Sequence, residues 1–415
     1  MIIKKTIETD VLVVGGGTAG VFAAISAART GAKTLLMDKN NILGGTITVA
    51  NVNFPGLFHA WGKQIIAGPC WESIERTVRL GGATLPKIQY HPKNHWDEQV
   101  RLNRFIYTAV LFDMCEESGV ELLLNSMISS LNEEENGIFA TVTVKTGMIQ
   151  VKAKKVIDAT GDANSVQQAG YGIQKSKIQQ PATLQNSISG YDIKNVDMDQ
   201  LKESFANADF PEYLTLDKLI LCLRQYNLDI HIPCKDADTS LGRTHVERDA
   251  YALMLKLYSF YKNIRGLENL SINFVAEETG VRETNRIIGN HIITADEYIN
   301  GKMYDDAICY SFYPIDLHVM NGIKQVFLKE NIVPKIPYRA LVPKDSKHII
   351  CAGRCISSDK DANSAIRVQA TCMATGQAAG CAAAIACRDE TMLKDISLDK
   401  LRESLLKIGA ITVNE

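Results

Sequence analysis

In the stretch Tyr313-Pro314-Ile315-Asp316-Leu317-His318, a carboxylate and an imidazole stand two residues apart. Side chains alternate along an extended chain, so Asp316 and His318 would share one face. A carboxylate beside an imidazole holds its tautomer and raises its basicity, making His318 a candidate general acid or base and Asp316 its partner. A purely structural Asp–His hydrogen bond would leave the same trace. The stretch Glu277 to Arg286 offers Arg282, whose planar guanidinium suits a bidentate clamp on a carboxylate. Against that stands a plain i,i+4 ion pair of Glu278 and Arg282 on a helix. Arg367 is a third candidate, as a cofactor contact or as a companion of Arg354 near a phosphate. His91 and His95 flank Pro92 in a loop-like stretch with no further ligand nearby, so no metal centre is expected and pocket-shaping aromatics are the better reading.

Groups of this kind need a scaffold, and its clearest trace is at the N-terminus. Val11-Leu12-Val13-Val14 has the continuous apolar character of a parallel strand buried on both faces. Gly15-Gly16-Gly17-Thr18-Ala19-Gly20 follows and fits G-x-G-x-x-G at Gly15, Gly17 and Gly20. Val21 to Arg29 reads as an alanine-rich helix stopped at Gly31, and Thr34 to Met37 as a second strand ending at Asp38. In this arrangement Gly15 permits the sharp turn, Gly17 clears the backbone for a pyrophosphate and Gly20 lets helix and strand pack closely. The helix N-terminus offers free N–H groups and a positive dipole end, so Thr18 and Ala19 join the cradle. Asp38, with Lys39 beside it, is placed for the adenosine ribose. The order of parts predicts a bound dinucleotide, and this segment alone leaves NAD and FAD both open.

Three later segments favour FAD. Leu43-Gly44-Gly45-Thr46 is a second glycine turn where an NAD domain would begin its next helix. Lys155 to Asp158 reads as a strand feeding Ala159-Thr160-Gly161-Asp162. Ile349 to Cys351 is a further strand, leading through Gly353, Arg354, Asp359 and Asn363 into an alanine-rich helix. That helix, starting near Ser364, would aim a positive end at the flavin edge where reduction places negative charge. Its small residues Ala374, Ala378, Ala379 and Ala382 would let it pack tightly on the nucleotide domain.

Taken in order, these motifs resemble the bacterial FAD-dependent oxidoreductase family related to fumarate reductase and succinate dehydrogenase flavoproteins. The resemblance covers residues 10 to 59, 150 to 190, 275 to 320 and 335 to 385. It implies an α/β fold, with a Rossmann-like FAD-binding domain of three layers and a β-meander, carrying an inserted, mainly α-helical cap. It also implies that Gly44, Gly45 and Thr46 lie beside the ribityl and pyrophosphate, and that Thr160, Gly161 and Asp162 lie near the phosphates. Backbone around Met127 to Ser129, with Ile128, would touch the adenine, and Arg282 would lie near flavin or substrate. Asp38 stands where such proteins more usually have Glu, and its shorter arm still reaches a ribose. No flavin-attachment motif is present, so FAD is expected to be noncovalent, with His59 the one neighbour that keeps a covalent link in view.

The remaining chain fits that plan. Glu98 to Glu117 has helical spacing, Val120 to Leu124 reads as a strand, and Ile138–Val144 with Met148–Lys152 as a hairpin. From about Gln180 the pattern turns amphipathic, giving domains at 1–180 with 335–415 and a cap or substrate domain at 181–334. Lys and Arg total 45 against 47 Asp and Glu, so nothing points to nucleic acid or an anionic membrane. Ten cysteines without a Cys-x-x-Cys pair read as reduced, buried thiols in a cytoplasmic protein with no membrane span. The expected function is hydride exchange between a small organic substrate and flavin N5. A non-catalytic flavin-binding redox sensor, or a subunit of a larger redox complex, is the rival. No second G-x-G-x-x-G follows the hairpin, so a dedicated NAD(P)H domain is not expected. The electron acceptor, the reaction direction and homo-oligomer formation stay open.

Overall fold

The computed structural model describes residues 3–90 and 94–413. His91, Pro92 and Lys93 lie outside the described residues. The apolar run at Val11–Val14 sits at the centre of a seven-stranded sheet, within a longer strand, β1 (Ile3–Val14). β1 feeds helix α1 (Gly20–Arg29), which returns to β2 (Thr34–Asp38), parallel to β1 and followed outward by Glu121–Leu124. On its other side β1 pairs in parallel with Gly147–Asp158. That strand does double duty. Its first half forms the antiparallel hairpin with Gly137–Val144, and its last residues pair in parallel with Ile349–Cys351. The separate hairpin arm and phosphate-loop strand expected from sequence are one continuous element, because no glycine or proline interrupts residues 148 to 158.

The other boundary corrections come from capping. The helix expected from Glu98 begins at Arg104, since the Asn103 side chain accepts from the N–H groups of Phe105 and Ile106 at 3.0 and 3.1 Å. Val100 and Leu102 are buried in the extended chain before it. The helix expected from Ser364 is two helices. Lys360–Ile366 is capped by Asp359, and Gln369–Arg388 begins only after Arg367 and an extended Val368. Helix Gln369–Arg388 crosses α1 backbone to backbone. A Cβ on Gly376 would stand 2.2 Å from the Ala19 carbonyl oxygen, and one on Gly380 2.2 Å from that of Ala23. The closest approach is thus made by two glycines rather than by the alanines around them. Among the described residues this is the one helix long and apolar enough to cross a membrane, and all of it between Ala370 and Cys387 is buried in the core.

A second core, from Leu184 to Ala276, gathers helices Met198–Ala206, Leu216–Gln225 and Ser240–Lys262 around Leu201, Leu219, Leu223 and Tyr261. From Ile287 onward, buried residues such as Ile293, Ile308 and Ile315 join the first core instead. Residues 181–334 therefore contribute to both.

Burial beside the second core pushes the Asp229 carboxyl up to about 7, against hydrogen bonds from Asn186 that lower it. An acid whose folded pKa is raised costs stability once pH exceeds its unfolded value, and the loss grows until the folded pKa is passed. Stability should therefore fall between about pH 4 and pH 7. Asp229→Asn should remove that slope and raise the stability at pH 8 by roughly 4 kcal/mol, at 1.36 kcal/mol per pKa unit. Melting curves of both proteins across this range check it.

Candidate active site

At the carboxyl ends of the parallel strands the chain leaves a long trough. Gly15, Gly17, Thr18 and Ala19 line one side, and Asp38 and Lys39 one end. Gly45 and Thr46 face them, while Thr160, Gly161, Asp162, Gly353 and Arg354 form the opposite side. Gly15 is held at φ +103°, where a Cβ would also come 2.6 Å from the Ala159 carbonyl oxygen, so only glycine turns here. Gly17 and Gly45 pass so closely that a Cβ on Gly45 would sit 2.7 Å from Gly17 Cα. No side chain fills the trough at that point. Asp38 Oδ2 accepts from Gly16 N at 2.6 Å and Oδ1 from Asn40 N at 2.7 Å, fixing the loop and leaving lone pairs for a ligand hydroxyl. Neither α1 nor helix Gln369–Arg388 has a side-chain cap on its first turn.

Some expected residues have other tasks. Gly20 lies under the loop, where a Cβ would meet the Gly15 carbonyl oxygen at 1.7 Å. Gly44 packs against Thr48, and Ile128 gives its carbonyl to Gln168 Nε2. Asp359 is committed as a cap, accepting from Ala362 N at 2.7 Å and Ala295 N at 2.8 Å. None of these four lines the trough, and neither does His59, whose ring stands edge-on to Trp71. Arg354 is also tied down, donating to Gly161 O at 2.7 Å and Asp162 at 2.6 Å, and so acts as a brace across the trough wall. Met127, named with the adenine stretch, lines the trough, whereas Gln369 and the turn Asp238-Thr239-Ser240 are lining residues that sequence reasoning missed. Only the turn carried a signal, as a helix cap at Thr239.

The trough opens into a cavity of about 350 Å³ through shared walls at Thr46, Gly280, Val281, Arg354, Arg367 and Gln369. Arg282, Asp316, His318 and Arg367 face this cavity, with Phe54, Trp96 and Tyr313 as apolar walls. His95 lines it too, in line with the pocket-shaping expectation. The expected strand is real: Ile315–Val319 places Asp316 Oδ2 3.0 Å from His318 Nε2. Asp316 Oδ1 accepts from Gln325 Nε2 at 2.9 Å. These bonds from His318 and Gln325, together with the charge of Arg367, hold the Asp316 carboxyl down at about 2 against its burial. His318 is lowered by burial, which outweighs the Asp316 bond. Its other nitrogen, Nδ1, stands 3.3 Å from His231 Nε2.

Arg282 is not on a helix, so the i,i+4 reading falls. Glu278 instead bonds Lys39 and Arg243, and Arg282 donates to Pro181 O at 2.5 Å and Thr183 Oγ1 at 3.2 Å. Burial first, and then the charge of Arg367, lower Arg282 to about 9. Arg367 donates to Asp316 O at 3.3 Å and leaves its buried Nε without a partner. Arg282 and Arg367 thus face one cavity in which, among the described residues, Asp316 is the only lining carboxylate, and it is already bonded to His318 and Gln325. Such a site favours a ligand with negative charge.

A family model described as FAD dependent oxidoreductase matches residues 10–405. The chain belongs to that family. FAD is accordingly its cofactor. The glycine-floored trough, the uncapped helix starts and the free Arg367 Nε fit such a group on their own chemistry. Among curated relatives of this FAD-dependent oxidoreductase, digeranylgeranylglycerophospholipid reductase 1 of Methanosphaera stadtmanae is 29% identical over 37% of this chain and 38% of its own. Thiamine thiazole synthase of Aeropyrum pernix is 49% identical over 38% of this chain and 57% of its own. Fumarate reductase (cytochrome) of Shewanella frigidimarina is 27% identical over 37% and 33% respectively. The chain therefore spans only part of the length of each. A solved geranylgeranyl bacteriochlorophyll reductase-like protein of Thermoplasma acidophilum covers 98% of this chain and 85% of that one, at 16% identity and a TM-score of 0.45.

Proposed function

We propose that the chain holds FAD noncovalently along the trough and acts on a small organic anion bound in the adjoining cavity. Arg282 and Arg367 take the negative group, Phe54, Trp96 and Tyr313 take the apolar body, and the Asp316–His318 pair handles the proton at the cavity wall. When bound, the flavin supplies the hydride exchange. The pyrophosphate is assigned to Gly15, Gly17, Thr18, Ala19 and the start of α1, the ribose to Asp38, and the phosphate side to Thr160 and Gly161. The observation that carries the reading is the pair of half-buried guanidiniums with too little negative charge between them, in a cavity continuous with the trough. The partial match to fumarate reductase, with the anion-seeking cavity, supports a distant kinship with that group of flavoenzymes. Ten free cysteines support a reducing, cytoplasmic setting.

Titration of the FAD-loaded protein with benzoate, phenylacetate and succinate, and with the matching amides, tests this. At least one acid should shift the flavin bands saturably, with affinity falling as salt rises, and the amides should not. Amides that bind as well as the acids would overturn the anion site.

A further inference from the structure

The two histidines beside the cavity are linked in a chain whose hydrogen-bond arithmetic does not close with neutral rings. Val319 O, 3.1 Å from His231 Nδ1, can only accept, so Nδ1 carries a proton. Asp316, ionised, also only accepts, so His318 Nε2 carries the other. Those two protons are all that two neutral imidazoles hold. His318 Nδ1 and His231 Nε2 then meet lone pair to lone pair at 3.3 Å, the longest of the three contacts. One additional proton in that gap would make an N–H···N bond and satisfy the whole chain.

We propose that His231 and His318 form a one-proton slot that fills when negative charge enters the cavity and empties when it leaves. The charged groups facing the pair are Arg282 from the loop before Asn285, Arg367 between the two late helices, Lys218 from helix Leu216–Gln225, and Asp316 on the same strand as His318. Three cations against one carboxylate keep the slot empty at rest. In keeping with this, burial first and then Arg282 and His318 hold His231 down at about 4. An anion on Arg282 and Arg367 cancels that opposition, and the slot takes one proton with no change in electron count.

The chain also has an inner and an outer end. His318 and Asp316 line the cavity and His231 does not, while the His231 bond to Val319 lies at the exposed end. The proton that fills the gap is taken from solvent and returned to it. His231 is a positioning residue, not a group that touches substrate. The inference rests on the proposed anion site only for one of its two sources of charge.

The test follows the imidazole nitrogens of the FAD-loaded protein labelled with ¹⁵N-histidine, assigned with His231→Gln and His318→Gln. Spectra are taken across pH at rest, with succinate, and after anaerobic photoreduction. The expected result is two unprotonated nitrogens in the pair at neutral pH at rest, and one on adding negative charge, with the midpoint climbing by roughly one to three pH units. His231→Gln should abolish the climb at His318. No change with bound succinate or with reduction overturns the slot and leaves the anion site standing. Protonation on reduction, with no succinate binding, keeps the slot and counts against the anion site. An unaltered His318 midpoint in His231→Gln overturns the pairing.

Discussion

Gly17→Val is expected to give a folded protein that no longer holds FAD. The backbone at Gly17 is outside the left-handed region, and a Cβ there would meet only Gly45 Cα, at an ordinary 3.8 Å. The protein itself can accept the side chain. Its methyl groups would instead stand in the trough where a pyrophosphate must meet the backbone and the start of α1. Losing two charge-assisted hydrogen bonds at about 2 kcal/mol each weakens FAD binding roughly 1,000-fold. Gly20→Ala gives the contrast. Its Cβ would overlap the Gly15 carbonyl oxygen, so the damage should appear as a lower melting temperature and poor expression. Visible spectra and melting curves of the two variants separate cofactor contact from packing within one motif.

Arg282→Gln is expected to cost carboxylate binding about 30- to 5,000-fold, the range for removing one partner of a buried charge pair at about 2–5 kcal/mol. The apo protein should not be destabilised in step. Arg282 and Arg367 repel one another across the cavity, so removing one charge relieves the other. Its hydrogen bonds to Pro181 and Thr183 offset part of that relief. Arg282→Lys should recover only part of the affinity, because an ammonium keeps the charge and loses the fork. Spectral titration with the best acid ligand, beside melting curves without it, reads both effects. Equal affinity in wild type and Arg282→Gln would remove Arg282 from the site.

The trough was more legible in the sequence than the cavity, for physical reasons. A turn that must present bare backbone needs glycine at fixed offsets between a buried strand and a helix, and Gly15, Gly17 and Gly45 announce it. Asp316 and His318 were paired correctly because alternation within one strand is a local rule. Their neighbour His231 was not, since it reaches them from 87 residues away in a two-residue strand that no periodicity marks. The structural bonds of Asp359 and Arg354 were hidden likewise. One caps a short helix and the other braces two loops, and either chemistry looks like cofactor binding in a one-dimensional reading. Helix starts slipped where a single cap, Asn103, overrode a longer apolar pattern.

The most direct test of the account is the visible spectrum of the purified protein, taken before and after heat denaturation and removal of the precipitate. The account predicts a yellow protein whose colour passes into the supernatant as intact FAD. Protein that stays colourless after FAD is added would contradict the assignment of the trough, and colour that stays with the precipitate would contradict noncovalent binding.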